Sequence, residues 1–411
     1  MLKLKNLGPG LLYAAAAIGV SHLVQSTRAG AEYGHILIIA VILANVVKYP
    51  FFRIGPEYTS LSGESILRGY DRLGRWALPL FYVMTLGTLF TVQAAVTVVT
   101  AGIAAQLFSI DIAISHLSTI ILIICGIILF IGHYKFLDNL IKMIIVILTI
   151  TTIFTVIVSL NGDFPKLGVA TTFDLTNKSH MFFLIALIGW MPAPLDLPIW
   201  HSMWTIAKQK NSTSKISHQE TITDFNIGFA GTTVLAVCFL LLGSIVMYDS
   251  GVEFSSSASV FAGQLMQMYT TAIGSWAYPI IGICAFSTMF STTLTCLDAF
   301  PRILREALSI SNNNISAESD RTYKLCLTGT VIGTCIILYG FLTNMKALVD
   351  FATTLSFIIA PIYALMNYKI MHLSHIAEND RPHGALKHLA ISGILFLSLF
   401  CLYFIYIRFI I

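Results

Sequence analysis

Runs of about 20 apolar residues recur along nearly the whole 411-residue chain, each long enough as a helix to cross a hydrocarbon core of roughly 30 Å. The pattern predicts eleven spans, at about 8–34, 35–52, 77–107, 115–132, 138–160, 181–204, 223–247, 260–297, 323–343, 347–368 and 388–411. The third and eighth are longer than a bilayer needs, which implies tilt, a kink or an interfacial extension. Two runs are broken in the middle. The first is interrupted at Gly19-Val20-Ser21-His22, and the sixth between Gly189 and Pro198, through Met191-Pro192-Ala193-Pro194-Leu195-Asp196. In lipid, open backbone is tolerated only where protein or a water-filled cavity satisfies it. Paired Gly/Pro interruptions at matching places of two halves point to a secondary transporter's substrate site.

Eleven spans divide as five, five and one. An odd number per repeat makes the second repeat enter the membrane from the opposite side, the inverted-repeat arrangement of many secondary transporters. The expected fold is therefore an all-α integral membrane protein forming one transmembrane domain over residues 1–411. Repeat one covers about 8–160, repeat two about 181–368, and an extra helix about 388–411. The turn-rich stretch Asn161-Gly162-Asp163-Phe164-Pro165 falls where the repeats join.

Composition agrees with a lipid environment: 56% of residues are hydrophobic and 11% charged, against roughly one quarter charged in soluble domains. The longest polar stretch is the loop around 312–321, so no soluble domain is hidden in the chain. Basic residues set the orientation. With the N-terminus in the cytoplasm, eighteen Lys and Arg fall on the inner side, among them Lys3, Lys5, Lys48, Lys135 and Lys215. Five fall outside (Arg28, Lys166, Lys178, Lys346 and Arg408), and Lys142 lies within a span. This bias places the C-terminus outside in a cytoplasmic membrane and accounts for the net charge of +4 without nucleic-acid binding. No cleavage site follows a short apolar region, so the first run reads as a retained helix. The seven cysteines (125, 238, 284, 296, 326, 335 and 401) sit in apolar runs without metal or redox spacing and read as core residues. No nucleotide loop, HExxH or pair of catalytic carboxylates suggests an enzyme, and nothing calls for an obligatory protein partner.

The residues around the first break carry a family resemblance. Gly8-Pro9-Gly10-Leu11-Leu12, a run of small residues, then Ala29-Gly30-Ala31-Glu32-Tyr33-Gly34 resembles the opening helix of the NRAMP divalent-metal transporters. Met191-Pro192 ahead of His201-Ser202 extends the likeness to the sixth span, and Ser287-Thr288-Met289-Phe290-Ser291-Thr292-Thr293 extends it more weakly to the eighth. The resemblance implies a LeuT-like fold with discontinuous helices 1 and 6, and proton-driven metal transport. The chain also departs from the family. Gly19-Val20-Ser21-His22 stands where the family has the metal-binding Asp-Pro-Gly-Asn, so a carboxylate is missing. Ala193 follows the proline where the family has Met-Pro-His. The third span has no Asp or Glu, only Gln93, where the family carries an acidic pair used in proton movement.

Candidate site residues follow from the breaks. Asp196, between Pro194 and Pro198, is either a cation ligand beside free carbonyls or a cap on the second half-helix. His22 suits Mn, Fe or Zn more than Mg and could instead carry a proton or be satisfied by Ser21 or Ser26. Met191 offers a thioether, as the family's sixth-span Met does, or simply fills space. These three form the expected metal set, with Gly19, Ser21 and Ala193 lining the substrate site. Coupling candidates are His201, Ser291, Thr292, Asp298 and Asp350. Asp298 has an alternative role as a partner of Arg302, and Arg28 and Glu32, four apart, form an expected ion pair. The Ser291-Thr292-Thr293 hydroxyls support a rival reading, an Na⁺-coupled symporter of a small organic solute such as an amino acid. They could equally bond their own helix backbone. No bound cofactor is expected beyond the transported cation and its coupling H⁺ or Na⁺.

Overall fold

The computed structural model describes every residue except 1–7, 133–134, 163–172, 213–215, 249, 251–252, 313, 341–343 and 410–411, and every side chain except those and 135–142, 211 and 409. Lys3, Lys5, Lys166 and Lys215, the side chains of Lys135 and Lys142, and the end of the stretch that joins the repeats lie outside the described residues.

Helices α1 (Pro9–Ala17) and α2 (Thr27–Tyr33) are two halves of the first span, joined through a π-wound turn at Ser21–Ser26. Then come α3 (Ile38–Ser62), α4 (Ile66–Leu73), α5 (Ala77–Phe108), α6 (Ile114–Ile131) and α7 (Lys135–Asn161). The sixth span is the pair α8 (Lys178–Trp190) and α9 (Leu197–Asn211). It is followed by α10 (His218–Leu242), α11 (Ala258–Ile273), α12 (Ala277–Ser311), α13 (Asp320–Gly340), α14 (Met345–Ile370) and α15 (Gly384–Phe409). Among the described residues nine helical stretches are long and apolar enough to cross a membrane. One of them, Ser21–Ser62, includes both the end of the first span and the second. Separating those two and adding α8–α9 restores eleven spans.

Local chemistry explains the boundaries. Pro9 opens α1 at a first-turn position, where a missing N–H costs nothing. Asn177, Ser217 and Asn344 cap α8, α10 and α14 through their side chains, Ser217 in a reciprocal capping box with Glu220. The second span runs ten residues past the expected end at 52, because Arg53 and Glu57 neutralise each other one turn apart (2.8 Å) and let the helix continue through Pro50 and Pro56. The expected run 260–297 is two elements. Gly274 takes φ 101°, a conformation glycine adopts without strain, and separates α11 from α12.

That glycine belongs to an internal echo. Leu73-Gly74-Arg75-Trp76-Ala77 precedes α5, and Ile273-Gly274-Ser275-Trp276-Ala277 precedes α12. Both glycines have positive φ and both tryptophans are exposed, as suits interfacial anchors. In each half a broken span is followed by a long helix, a short helix, this Gly-x-Trp turn and another long helix. The short helices, α4 and α11, mark opposite faces of the bundle and serve to name them below.

Small residues let the helices that carry the breaks approach closely. A Cβ at Gly228 of α10 would overlap the carbonyl of Gly10, and one at Gly30 the carbonyl of Leu240. A Cβ at Gly55 of α3 would lie 2.7 Å from the carbonyl of Pro198. Gly228→Ala is therefore expected to force α1 off α10 and cost about 1–3 kcal/mol, read as a fall of several degrees in melting temperature in detergent. Gly231→Ala on the same helix, where a Cβ meets nothing within 4 Å, is the control that should leave it unchanged.

Candidate functional site

Only a short piece of the first break is unwound. Ile18 leaves the helix (φ −77°, ψ 88°), and the Gly19 carbonyl already accepts the N–H of Leu23 at 2.9 Å. Residues 20–22 were expected to be non-helical; they are wound again, because the wide π turn re-satisfies their backbone at once. The second break is longer. Met191 is extended, and α9 does not begin until Leu197.

The two breaks touch. Ser21 Oγ lies 3.3 Å from the carbonyl of Pro192, beside a cavity of about 30 Å³. The cavity sits between the middles of α5 and α12. Its walls are Ala16, Ala17, Val20 and Ser21 of the first span, Val92 and Val96, Thr292 and Cys296, with Trp190, Ala193, Pro194, Leu197 and Trp200 of the sixth. A larger apolar groove of about 420 Å³ lies between α6 and α13 and has no charged lining.

Of the expected site residues, Ser21, Ala193 and Thr292 line this cavity, and Gly19 backs onto it. A Cβ at Gly19 would lie 2.9 Å from Thr292 Cγ2, so the glycine is what lets α12 approach the first break. Thr292 Oγ1 reaches the carbonyls of Ala15 (3.3 Å), Ile18 (3.4 Å) and Thr288 (3.0 Å). Ser291 Oγ is buried without a hydrogen-bond partner.

Asp196 starts α9, is 3% exposed and lies between the lining residues Pro194 and Leu197 without itself lining the cavity. Its carboxylate lies beside the N–H groups of Asp196 and Leu197 but caps no later N–H of α9, and Oδ1 has no partner. Cys296, Tyr70 and Tyr363 lie within its electrostatic reach. Tyr70 donates to Asn367 Oδ1 (2.6 Å), and Thr85 and Tyr363 share a hydrogen bond (3.2 Å). A polar column thus runs from Asp196 towards the α4 face.

His22 turns away from the cavity. A carbonyl can only accept, so Nε2 donates to Thr232 O (3.0 Å), and Nδ1 faces Ser21 Oγ at 2.7 Å. Both ring nitrogens are engaged, and the ring braces the first span against α10. Met191 is fully buried but does not line the cavity. His201 lies in an aromatic cluster, stacked on Tyr13 at 5.8 Å and near Phe225, with Nδ1 unpartnered.

Asp298 and Asp350 lie at opposite ends of the bundle, not at the breaks. Asp298 accepts from Arg302 Nε (2.6 Å) and the Tyr323 hydroxyl (2.6 Å) near the α4 face. Asp350 accepts two bonds from Arg28 Nη1 (2.6 and 2.8 Å) near the α11 face. Arg28 also pairs with Glu32 as expected (3.0 Å), and Lys346 joins Glu32 (2.8 Å). Between α4 and α12, Arg68 and Glu306 pair at 3.2 Å. Ion pairs therefore lie on both faces of the bundle.

Two positions at the breaks escaped the sequence reading. Cys296 faces the cavity, although its apolar run made it look like filler. Lys48, counted above with the inner-side charges, is fully buried, with Nζ on the carbonyls of Ile188 (2.5 Å) and Gly189 (3.0 Å). Its removal leaves seventeen basic residues against five. A lone lysine near the end of an apolar run is the signal that could have found it.

Two interrupted spans meeting at a small cavity, inside a helical bundle whose halves echo each other, define a secondary transporter of the LeuT-like, inverted-repeat class. The chain matches the natural resistance-associated macrophage protein-like (Nramp) family over residues 10–407 and belongs to it. It is 36% identical to an uncharacterized protein of Pasteurella multocida strain Pm70, over 98% of this chain and 92% of that one. Among solved structures it is similar to the manganese transporter of Eremococcus coleocola in complex with an aromatic bis-isothiourea compound (TM-score 0.72, 14% identity, 98% of this chain and 86% of that). MhsT bound to L-phenylalanine has the same fold (TM-score 0.67, 13% identity, 98% of both chains). So does Mhp1, a nucleobase-cation-symport family transporter (TM-score 0.63, 13% identity, 97% and 91%).

The crowding at Gly19 sets a test for the missing carboxylate. Gly19→Asp alone should lower the melting temperature by several degrees, since Thr292 Cγ2 and Oγ1 occupy the space of the new Cβ. Gly19→Asp with Thr292→Ser removes Cγ2, the nearer atom, keeps the hydroxyl at the cavity and should recover most of that stability. The double variant should also bind Mn²⁺ at least about tenfold more tightly than wild type, about 1.4 kcal/mol. Unchanged affinity in the stable double variant would show that Gly19 does not face the ion.

Proposed function

We propose that this chain carries a divalent metal ion of the Mn, Fe or Mg class across the cytoplasmic membrane, by alternating access about its two broken spans. The observation that carries the reading is the cavity where the breaks meet. At about 30 Å³ it exceeds the roughly 10–15 Å³ that one enclosed water needs, which leaves room for an ion with little of its hydration shell. The donors around it are chemically apt. Ser21 and Thr292 offer hydroxyls, Pro192 a carbonyl, Cys296 a thiol, and Asp196 the nearby carboxylate with an unpartnered oxygen. Family membership and the manganese transporter's similar fold support the same substrate class.

The buried polar groups of Tyr70, Tyr363 and Asn367 lie between Asp196 and the α4 face, and the ion would leave past them once the bundle opens on that side. The basic-residue bias makes that face cytoplasmic, with the N-terminus inside and the C-terminus outside. A proton drive is the family's expectation. The acidic pair is absent from α5, where Gln93 instead donates to Thr293 O at 3.2 Å. Asp196 is therefore the carboxylate left to carry a proton or balance the cation. Moving an ion requires no covalent step, so the reading is of a carrier and not an enzyme.

A second reading has one observation in its favour. Thr292 Oγ1 among the carbonyls of Ala15, Ile18 and Thr288, beside the unpartnered Ser291 hydroxyl, forms an oxygen-rich corner suited to Na⁺. Half-helix ends and unwound carbonyls hold coupling Na⁺ in such folds. The small cavity disfavours the organic solute that this reading carries.

Proteoliposomes offered Mn²⁺, Mg²⁺ or an amino-acid mixture, under imposed H⁺ or Na⁺ gradients, separate the two. The expected result is Mn²⁺ accumulation without amino-acid uptake. Asp196→Asn keeps the shape and loses the charge, and should lower metal uptake at least about tenfold, about 1.4 kcal/mol, while remaining monodisperse. Na⁺-driven amino-acid uptake with no metal transport would establish the second reading instead.

A further inference from the structure

Lys48 is the one cation in α3 that the membrane reading leaves without a role. Its side chain is completely buried, in a span where a charge is costly unless it is held by a partner. Among the described residues it forms no ion pair with a carboxylate. Nζ instead donates to two main-chain oxygens, Ile188 O at 2.5 Å and Gly189 O at 3.0 Å. Those carbonyls belong to the last turn of α8, immediately before the second break; that of Ile188 also accepts the Met191 N–H at 3.3 Å.

The end of a helix carries partial negative charge, from carbonyls that no later N–H satisfies. In transporters with broken spans, such half-helix ends are where a coupling cation binds. This bundle has two of them at its centre, and they are filled differently. At the end of α1 the carbonyls of Ala15 and Ile18 meet only a neutral hydroxyl, Thr292 Oγ1. At the end of α8 they meet an amine tethered to a neighbouring span. Gly189 is held in place from the other side, because a Cβ there would overlap the carbonyl of Thr353. The carbonyls of α8 are thus fixed, with the Lys48 stem reaching across to them.

Resting on the transporter reading above, we infer that Lys48 is a built-in cation. Its ammonium occupies the C-terminal end of α8 in the place of a free coupling cation, so that only the end of α1 is open to a mobile one. Three consequences follow. The protein binds one cation fewer from solution than its two half-helix ends would allow. The charge stays with the protein through the cycle, so this end never has to release an ion. When ionised, Asp196 of the same break balances that charge.

Removing the tether should open a site for a free cation. Lys48→Ala purified in detergent is expected to gain at least about 3 °C in melting temperature on adding methylammonium, relative to choline at equal ionic strength. Wild type should show no such difference. No stabilisation of Lys48→Ala by methylammonium overturns the inference. Lys48→Gln retains two N–H donors without the charge and serves where the alanine variant does not fold. In proteoliposomes its Mn²⁺ uptake should fall at least tenfold, and near-normal uptake would show that hydrogen bonding alone suffices and also overturn the inference. The thermal contrast does not depend on the transported ion. Failure of wild type to carry Mn²⁺ would sink the metal reading and leave that contrast standing.

Discussion

A main chain that stops being helical inside hydrocarbon leaves N–H and C=O groups that water cannot reach, and each one left unpaired costs several kcal/mol. The packing around the two breaks follows from that constraint. Ile18 can leave its helix because the π turn recovers hydrogen bonding within a few residues, and because α12 brings the Thr292 hydroxyl to the freed carbonyls of the first span. Gly19 is what makes that approach possible. The end of α8 can be left open because a buried lysine meets its carbonyls. The N-terminal end of α1 is likewise held by Asp224, which accepts from the N–H groups of Gly8 and Gly10. Donors and acceptors brought together to satisfy broken helices are also the groups that can bind an ion.

The polar ties are distributed unevenly, and that distribution bears on movement. Within one group they join the two broken spans, α3 and α10 to one another. Asp224 meets α1, His22 meets Thr232, Lys48 meets α8, Asn45 meets Thr233, and Tyr49 meets Asn226. Glycine contacts between α1 and α10 and between α3 and α9 tighten the same group. Charged ties from this group to the rest lie nearer the two faces, Arg28–Asp350 and Lys346–Glu32 at the α11 face and Lys210–Glu318 at the α4 face. A set of helices pinned internally and latched at its ends suits rigid rocking around a fixed central site, the motion expected of repeat-based carriers.

Hydropathy made the span count and the two interruptions legible, because hydrocarbon imposes a length and forbids unsatisfied backbone. It misplaced boundaries where local pairing overrode the apolar pattern. Arg53 and Glu57 extend α3 by neutralising each other, and Gly274 divides what reads as one run. Within the site, the breaks indicated Ser21, Ala193 and Asp196. Residue type was a poorer guide to direction. His22 and Met191 have suitable ligand chemistry, yet the helix phase turns His22 towards α10 and keeps Met191 off the cavity wall. Phase depends on where winding resumes after a break, which composition does not reveal. The same reasoning explains Lys48 and Cys296, whose importance lies in what neighbouring helices place opposite them.

The claim on which the account rests is that one metal ion binds where the two breaks meet. Anomalous diffraction from crystals of the protein soaked in Mn²⁺ locates the ion directly. The account predicts a single strong peak among Ser21, the Pro192 carbonyl, Thr292, Cys296 and the Asp196 carboxylate, abolished or weakened in Asp196→Asn crystals. A peak only at the ion pairs on either face, or none in the cavity at millimolar Mn²⁺, would contradict it.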